Sequence, residues 1–255
     1  MVTGPPGGTE HAIATETRRV TQQGHRWLEA QGFNLCAVLD PVEFPPALAK
    51  LWSDAGLEVV AGQRLVLLGM GGSRLWQRVE PQLTLYADPF DALSVAAAQT
   101  VVRDYWGDGG LQLLYPGTLP IPLQQLGRWA GWSAPAPLGL DISPVFGPWF
   151  AHRTAFLMYA PLPCTPREAP ASPCDICVDP PCLDACVADA LVFDATPDLE
   201  RCLTQRLAEP ALCGSRCLAR LACPVGLGWR YPDAQIDYHG QRSLASLQRW
   251  QMRTR

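Results

Sequence analysis

The chain has almost no lysine: Lys50 stands alone against 19 arginines in 255 residues. Charged residues of all kinds make up 17%, and the formal net charge is −4. A general polyanion binder carries a basic surplus, so this balance argues against a nucleic-acid partner. The N-terminus, Met1-Val-Thr-Gly-Pro-Pro-Gly-Gly8, has neither the basic n-region nor the apolar h-region of a secretory signal. No apolar run approaches the roughly 20 residues needed to span a bilayer. These absences predict a cytoplasmic protein with no membrane partner. Also missing are an internal repeat in the first 160 residues and any Ser/His/Asp or Cys/His nucleophile arrangement.

What is abundant is cysteine, and it is clustered. Eight of the ten cysteines fall in the 50 residues from Cys174 to Cys223. The run reads Cys174-x2-Cys177-x4-Cys182-x3-Cys186, then Cys202, then Cys213-x3-Cys217-x5-Cys223-Pro224. Disulfides are rare in a cytoplasmic setting, where grouped cysteines bind metal or do redox work. Soft thiolates match iron, and eight of them suit two four-iron clusters. In two-cluster ferredoxins the fourth cysteine of the first run ligates the other cluster, and a Cys-Pro closes each motif. That logic pairs Cys174, Cys177 and Cys182 with Cys223, and groups Cys186, Cys202, Cys213 and Cys217. The spacing departs from the bacterial run, with x4 after Cys177 and Val187 where proline is expected. Structural zinc is the alternative, since zinc sites built from four cysteines also use short spacings. Cys36, in an apolar strand, reads as a core residue, and Cys164, among prolines, as a bystander.

Before the cysteines the chain alternates helix and strand. Helical patterning is predicted for Ala12–Ala30, Ala47–Ala55, Ser73–Val79, Asp88–Trp106 and Ile121–Trp132. Strand patterning is predicted for Phe33–Leu39, Arg64–Gly69, Leu111–Tyr115 and Trp149–Tyr159. Residues 1–10 read as a flexible tail, Pro161–Pro173 as a linker, and Gln241–Arg255 as a basic helix. The alternation predicts an α/β layer structure. The turn Gly69-Met-Gly71-Gly72-Ser73, between a strand and a helix, reads as a glycine turn with Ser73 as N-cap, the alternative being a phosphate cradle.

The stretch Cys174–Pro224 resembles the ferredoxin-like module of epoxyqueuosine reductase and of reductive dehalogenases. The residues that carry this are the four-Cys run, Arg201-Cys202-Leu203, and the three-Cys run ending in Cys223-Pro224. The resemblance implies two [4Fe–4S] clusters beside a cobalamin. Upstream, Ser143-Pro-Val-Phe146-Gly147-Pro-Trp149-Phe150-Ala-His-Arg153 resembles the HPxFGxWFAxR stretch of the CblC cobalamin-processing proteins. That resemblance implies a nitroreductase-like α/β fold handling base-off cobalamin, with Gly147, Trp149, Phe150 and Arg153 as cofactor-binding residues. Ser143 stands where the pattern has His, so no role of that His carries over. The lower-ligand motif D-x-H-x-x-G is also absent, because Asp237-Tyr-His239-Gly240 has its glycine in the wrong place.

These readings combine into one expectation. A nitroreductase-like α/β domain spans 12–160, a ferredoxin-like two-cluster module 170–230, and a helical segment 231–255. The eight cysteines are the metal ligands. Electrons arrive from a donor protein of reductase or flavodoxin type and pass to a bound corrinoid, as in a cobalamin-dependent or cobalamin-processing oxidoreductase. The alternatives are a dicluster electron carrier without cobalamin and a zinc-stabilised interaction module.

Overall fold

The computed structural model describes residues 7–107, 110–193 and 196–254, with side chains for 16–107, 110–193 and 196–253. Two compact units divide the chain. The first comprises Met1–Met70, Arg74–Ala130 and Ala151–Glu168, and the second Gly71–Ser73, Gly131–Phe150 and Ala169–Arg255.

Among its described residues the first unit carries five α-helices and a sheet. The helices are α1 (Gly7–Ala30), α2 (Pro46–Asp54), α3 (Arg74–Val79), α4 (Pro89–Val101) and α5 (Leu123–Trp129). The strands are β1 (Leu35–Leu39), β2 (Gln63–Gly71), β3 (Leu111–Tyr115) and β4 (Phe150–Tyr159), in the order β1-β2-β4-β3. β1 pairs antiparallel with β2, and β3 with β4. The strand order follows from burial. Leu65–Leu68 and Met70 of β2, and Ala155–Met158 of β4, are all but inaccessible to solvent, whereas β1 and β3 are only partly buried. Strands covered on both faces need unbroken apolar runs, so the two such runs take the centre. Each large aliphatic side chain buried here contributes about 1.5–3 kcal/mol.

α4 widens into a π-helical turn, Val102–Trp106, which ends at Gly107. The tail expected over residues 1–10 is helical from Gly7, and residues 1–6 lie outside the described residues. The Pro-rich stretch has no regular structure from 160 to 172, yet its first part is held fast. The Thr165 N–H donates to the Val38 carbonyl, the Val38 N–H donates to Thr165 Oγ1, and Leu162 is buried. A segment that joins the edge of β1 in this way is part of the first unit, not a free linker.

The second unit is built from short helices and tight turns: α6 (Pro181–Asp184), α7 (Leu199–Ala208), α8 (Leu218–Ala222) and the long α9 (Asp233–Thr254). α9 starts eight residues before the helix expected from Gln241. Gly240 in its interior costs about 1 kcal/mol of propensity relative to alanine, which hides the first two turns from a sequence reading.

Candidate functional site

Each of the eight clustered cysteines is placed by a local turn. Ser172 caps the 3-10 turn Pro173–Ile176: its hydroxyl accepts from the Cys174 N–H, and the Cys177 N–H donates back to the Cys174 carbonyl. Cys182 lies in α6, and Cys186 follows it, its N–H donating to the Leu183 carbonyl. Cys202 is on α7, whose first turn is capped by Asp198 accepting from the Arg201 N–H. The Arg201 guanidinium reaches back to the Asp189 carbonyl at 2.7 Å and its carboxylate at 3.2 Å, tying α7 to the loop after Cys186. Cys213 belongs to a π-type turn, Pro210–Gly214. Cys217 and Cys223 cap the two ends of α8.

The eight thiols gather in two groups of four. Cys186, Cys202, Cys213 and Cys217 line a cavity of about 360 Å³. Cys174, Cys177, Cys182 and Cys223 line a second, tight one with about 20 Å³ of free space. The electrostatics divide the same way. Burial pushes the thiols of Cys174, Cys182 and Cys223 up, and the cysteines that add to this all come from their own group. Burial likewise raises Cys202 and Cys213, and the thiols acting on them are Cys186, Cys217 and, for Cys213, Cys202. The grouping coincides with the one drawn from the ferredoxin spacing. α6 and α8 pack together. Cys182 and Cys186 sit in and just beyond one of these helices, Cys223 and Cys217 at the ends of the other, so each helix supplies both cavities. Five residues of α8 amount to about 7.5 Å of rise. Among the described residues, no three His, Cys, Asp or Glu side chains converge closely enough to hold a single ion.

The donor set fits iron–sulfur chemistry: each cavity has four thiols, the soft ligands that such clusters take. Cys36 and Cys164 are in neither group. Burial drives the Cys36 thiol up to about 12, although by accessibility this edge-strand residue is only half-buried, and Cys164 is exposed.

The segment 143–149 packs against the chain that follows Cys223. Ser143 and Gly147 exchange backbone hydrogen bonds, and the Ser143 hydroxyl accepts from the N–H groups of Val145 and Phe146. Ser143 is thus a buried loop-closing residue. Gly147 and Gly226 both have positive φ, and their backbones pass so closely that a Cβ on Gly147 would lie 2.0 Å from the Val225 carbonyl oxygen. Trp149 is fully buried, with the guanidiniums of Arg220 and Arg230 over its indole at 4.7 and 5.4 Å and Tyr231 against its edge. Of the four residues expected to bind a cofactor, Gly147 and Trp149 are therefore engaged in this packing. Phe150 and Arg153 are half-buried, Phe150 in the second unit and Arg153 in the first, where its guanidinium lies 4.2 Å from the Phe90 ring centre.

Gly71–Ser73 is filled by protein. Cβ atoms on Gly71 and Gly72 would meet the rings of Phe146 and Trp229, and the Gly72 N–H donates to the Trp149 carbonyl. The turn is a packing device, and nothing in its surroundings favours a phosphate.

Sequence reasoning missed the arginines. Arg206, Arg216 and Arg220 line the larger cavity beside its thiols, together with Trp149, Ile236 and His239. Their spacing is a signal that was there to read: one lies four residues after Cys202 and two flank Cys217.

No protein-family model matches the chain, and no curated protein matches it. Several solved structures do. Epoxyqueuosine reductase from Streptococcus thermophilus aligns over 83% of this chain and 67% of its own, with 13% identity and a TM-score of 0.52. Epoxyqueuosine reductase with a tRNA-Tyr epoxyqueuosine-modified stem loop aligns over 85% and 68%, with 13% identity and a TM-score of 0.53. The C. elegans B12-trafficking protein CblC, a homologue of human MMACHC, aligns over 94% and 97%, with 13% identity and a TM-score of 0.47. The chain thus shares its fold with epoxyqueuosine reductase across about two thirds of that protein's length.

Proposed function

We propose that this chain is an iron–sulfur redox protein that holds two [4Fe–4S] clusters and delivers electrons to a base-off corrinoid. The observation that carries the reading is the presence of two cavities, each lined by four thiols. When bound, such clusters supply one-electron transfer. The protein's part is to bind and orient. Cys174, Cys177, Cys182 and Cys223 would hold one cluster in an apolar pocket, and Cys186, Cys202, Cys213 and Cys217 would hold the other in an arginine-lined one. The thiols raised by burial must lose their protons on loading, so assembly releases protons and is favoured as pH rises. The ferredoxin-like resemblance of the cysteine run and the fold shared with epoxyqueuosine reductase support the same reading. The electron donor in this reading is a separate reductase or flavodoxin-type protein.

Anaerobically reconstituted protein is expected to carry about eight iron and eight sulfide per chain. Cys202→Ser is expected to remove about half of both. Zinc in place of iron would sink the proposal, and a Cys202→Ser protein with full iron would sink the ligand grouping.

The corrinoid rests on the CblC-like resemblance of Ser143–Arg153, with the half-buried Arg153 as the contact to be tested. Cobalamin added under reducing conditions is expected to show a base-off spectral shift, weakened in Arg153→Ala. An unchanged spectrum in the parent protein would remove the corrinoid and leave a dicluster electron carrier.

A further inference from the structure

The two thiol sites differ sharply in what surrounds them. The tight cavity is lined, apart from its cysteines, by prolines, alanine and the apolar side chains of Leu138, Ile142, Phe193 and Val225. Among the described residues no charged side chain lines it, and Cys182 and Cys223 are 8% and 6% exposed. The charges that reach its thiols from farther out have opposite signs: Arg230 acts on Cys223 and Asp175 on Cys174. The larger cavity has three guanidiniums in its wall, and Cys217 is exposed to solvent.

The three arginines are not equivalent. Arg216 is neutralised by a two-pronged pair with Asp237, at 2.6 and 2.7 Å, and by Asp233 at 3.1 Å. Arg206 donates to the Gly214 carbonyl and to Ser243 Oγ, both neutral. Arg220 donates to the Pro148 carbonyl and lies over Trp149 and Tyr231. Arg206 and Arg220 therefore keep their full positive charge beside the thiols. Of the two, Arg206 stands one helical turn from Cys202 on α7 and donates to the carbonyl of Gly214, the residue after Cys213.

We infer that the two sites are held at different reduction potentials, the Cys186–Cys202–Cys213–Cys217 site above the Cys174–Cys177–Cys182–Cys223 site, with Arg206 setting much of the gap. This rests on the proposal that both sites hold clusters. Taking up one electron adds one negative charge to a site. Uncompensated cations and solvent stabilise that charge, and a closed apolar wall does not. At equilibrium the first electron therefore belongs to the arginine-lined site, and the apolar site is the stronger reductant. Arg206 acts here as a tuning residue, through its charge, and not as a ligand.

The test is a dithionite titration of the reconstituted full chain, followed by visible and EPR spectra at controlled potential. Iron and sulfide are measured first, so that an iron-free chain counts against the cluster proposal and not against the ordering alone. With both sites filled, two one-electron waves are expected at least tenfold apart in equilibrium constant, about 59 mV. Arg206→Gln is expected to lower the upper wave by about fivefold and leave the lower one in place. Arg206→Lys, which keeps the charge, is expected to hold the upper wave near its parent value. Should Arg206→Gln not reconstitute, Arg206→Met, which also removes the charge, is read the same way. Unresolved waves, a shift of the lower wave in Arg206→Gln, or equal falls in the Gln and Lys variants would each overturn the inference.

Discussion

Gly240→Ala is expected to destabilise the protein by about 3 kcal/mol, although the same change in an exposed helix would stabilise by about 1 kcal/mol. The reason is where α9 passes. A Cβ on Gly240 would lie 1.5 Å from the Ser215 carbonyl oxygen, with the Ser215 Cα and carbonyl carbon behind it. Backbone cannot swing aside as a side chain can, so the helix must lift. Lifting it strains the other ties between α9 and the Cys213–Cys217 loop. These are the Arg216 pairs to Asp233 and Asp237, the Arg206 bond to Ser243, and the packing of α9 on the Pro210–Gly214 turn. For a chain of this size the loss corresponds to a fall in Tm of about 6–12 °C. In protein reconstituted with the proposed clusters, iron is expected to leave the Cys186–Cys217 site first. The sign decides the matter: a melting temperature at or above the parent's means that α9 does not seat on Ser215.

Gly147→Ala is expected to cost at least as much. Its φ of +58° lies in the left-handed region, which charges a non-glycine residue about 1–2 kcal/mol. The new methyl would also meet the Val225 carbonyl oxygen at 2.0 Å. Val225 is two residues past Cys223, so the displacement passes directly into the tight thiol pocket. A loss of more than about 3 kcal/mol in denaturant unfolding is expected, and under the proposed function the reconstituted variant loses iron from that pocket. Gly228→Ala provides the control, because nothing lies within 4 Å of a Cβ there and its φ is ordinary. If the two variants unfold at the same denaturant concentration, the close pass of the two loops is wrong.

The elements most legible in the sequence were those fixed by local pattern. The apolar runs of β2 and β4 announced strands, and the Cys-Pro closure with its interleaved fourth cysteine suggested the same two sets of four thiols that line the two cavities. What stayed hidden depends on contacts far apart in the chain. The start of α9 was masked by Gly240, whose presence makes sense only beside Ser215. Gly147 and Trp149 read as cofactor-binding residues together with Phe150 and Arg153, and nothing local tells that Gly226 lies across Gly147 or that Arg220 and Arg230 cover the Trp149 indole. The Pro-rich stretch read as a linker, because the bonds that bind Thr165 to Val38 span 127 residues.

Under the proposal that both thiol groups hold clusters, their grouping also has a consequence for assembly. In chain order the site of Cys186, Cys202, Cys213 and Cys217 lies wholly inside the loop that Cys182 and Cys223 must close, a span of 41 positions. Filling the inner site first would draw Cys186 and Cys217 together and shorten the remaining free path to about ten residues. Two doublings of loop length are thereby removed, about 1.2 kcal/mol of closure entropy. The outer site should then load more readily once the inner one is occupied. In Cys202→Ser protein the remaining iron should yield to a chelator more easily, by about eightfold in binding constant. The two sites are coupled in this sense as nested knots on one string, the inner tightening the outer.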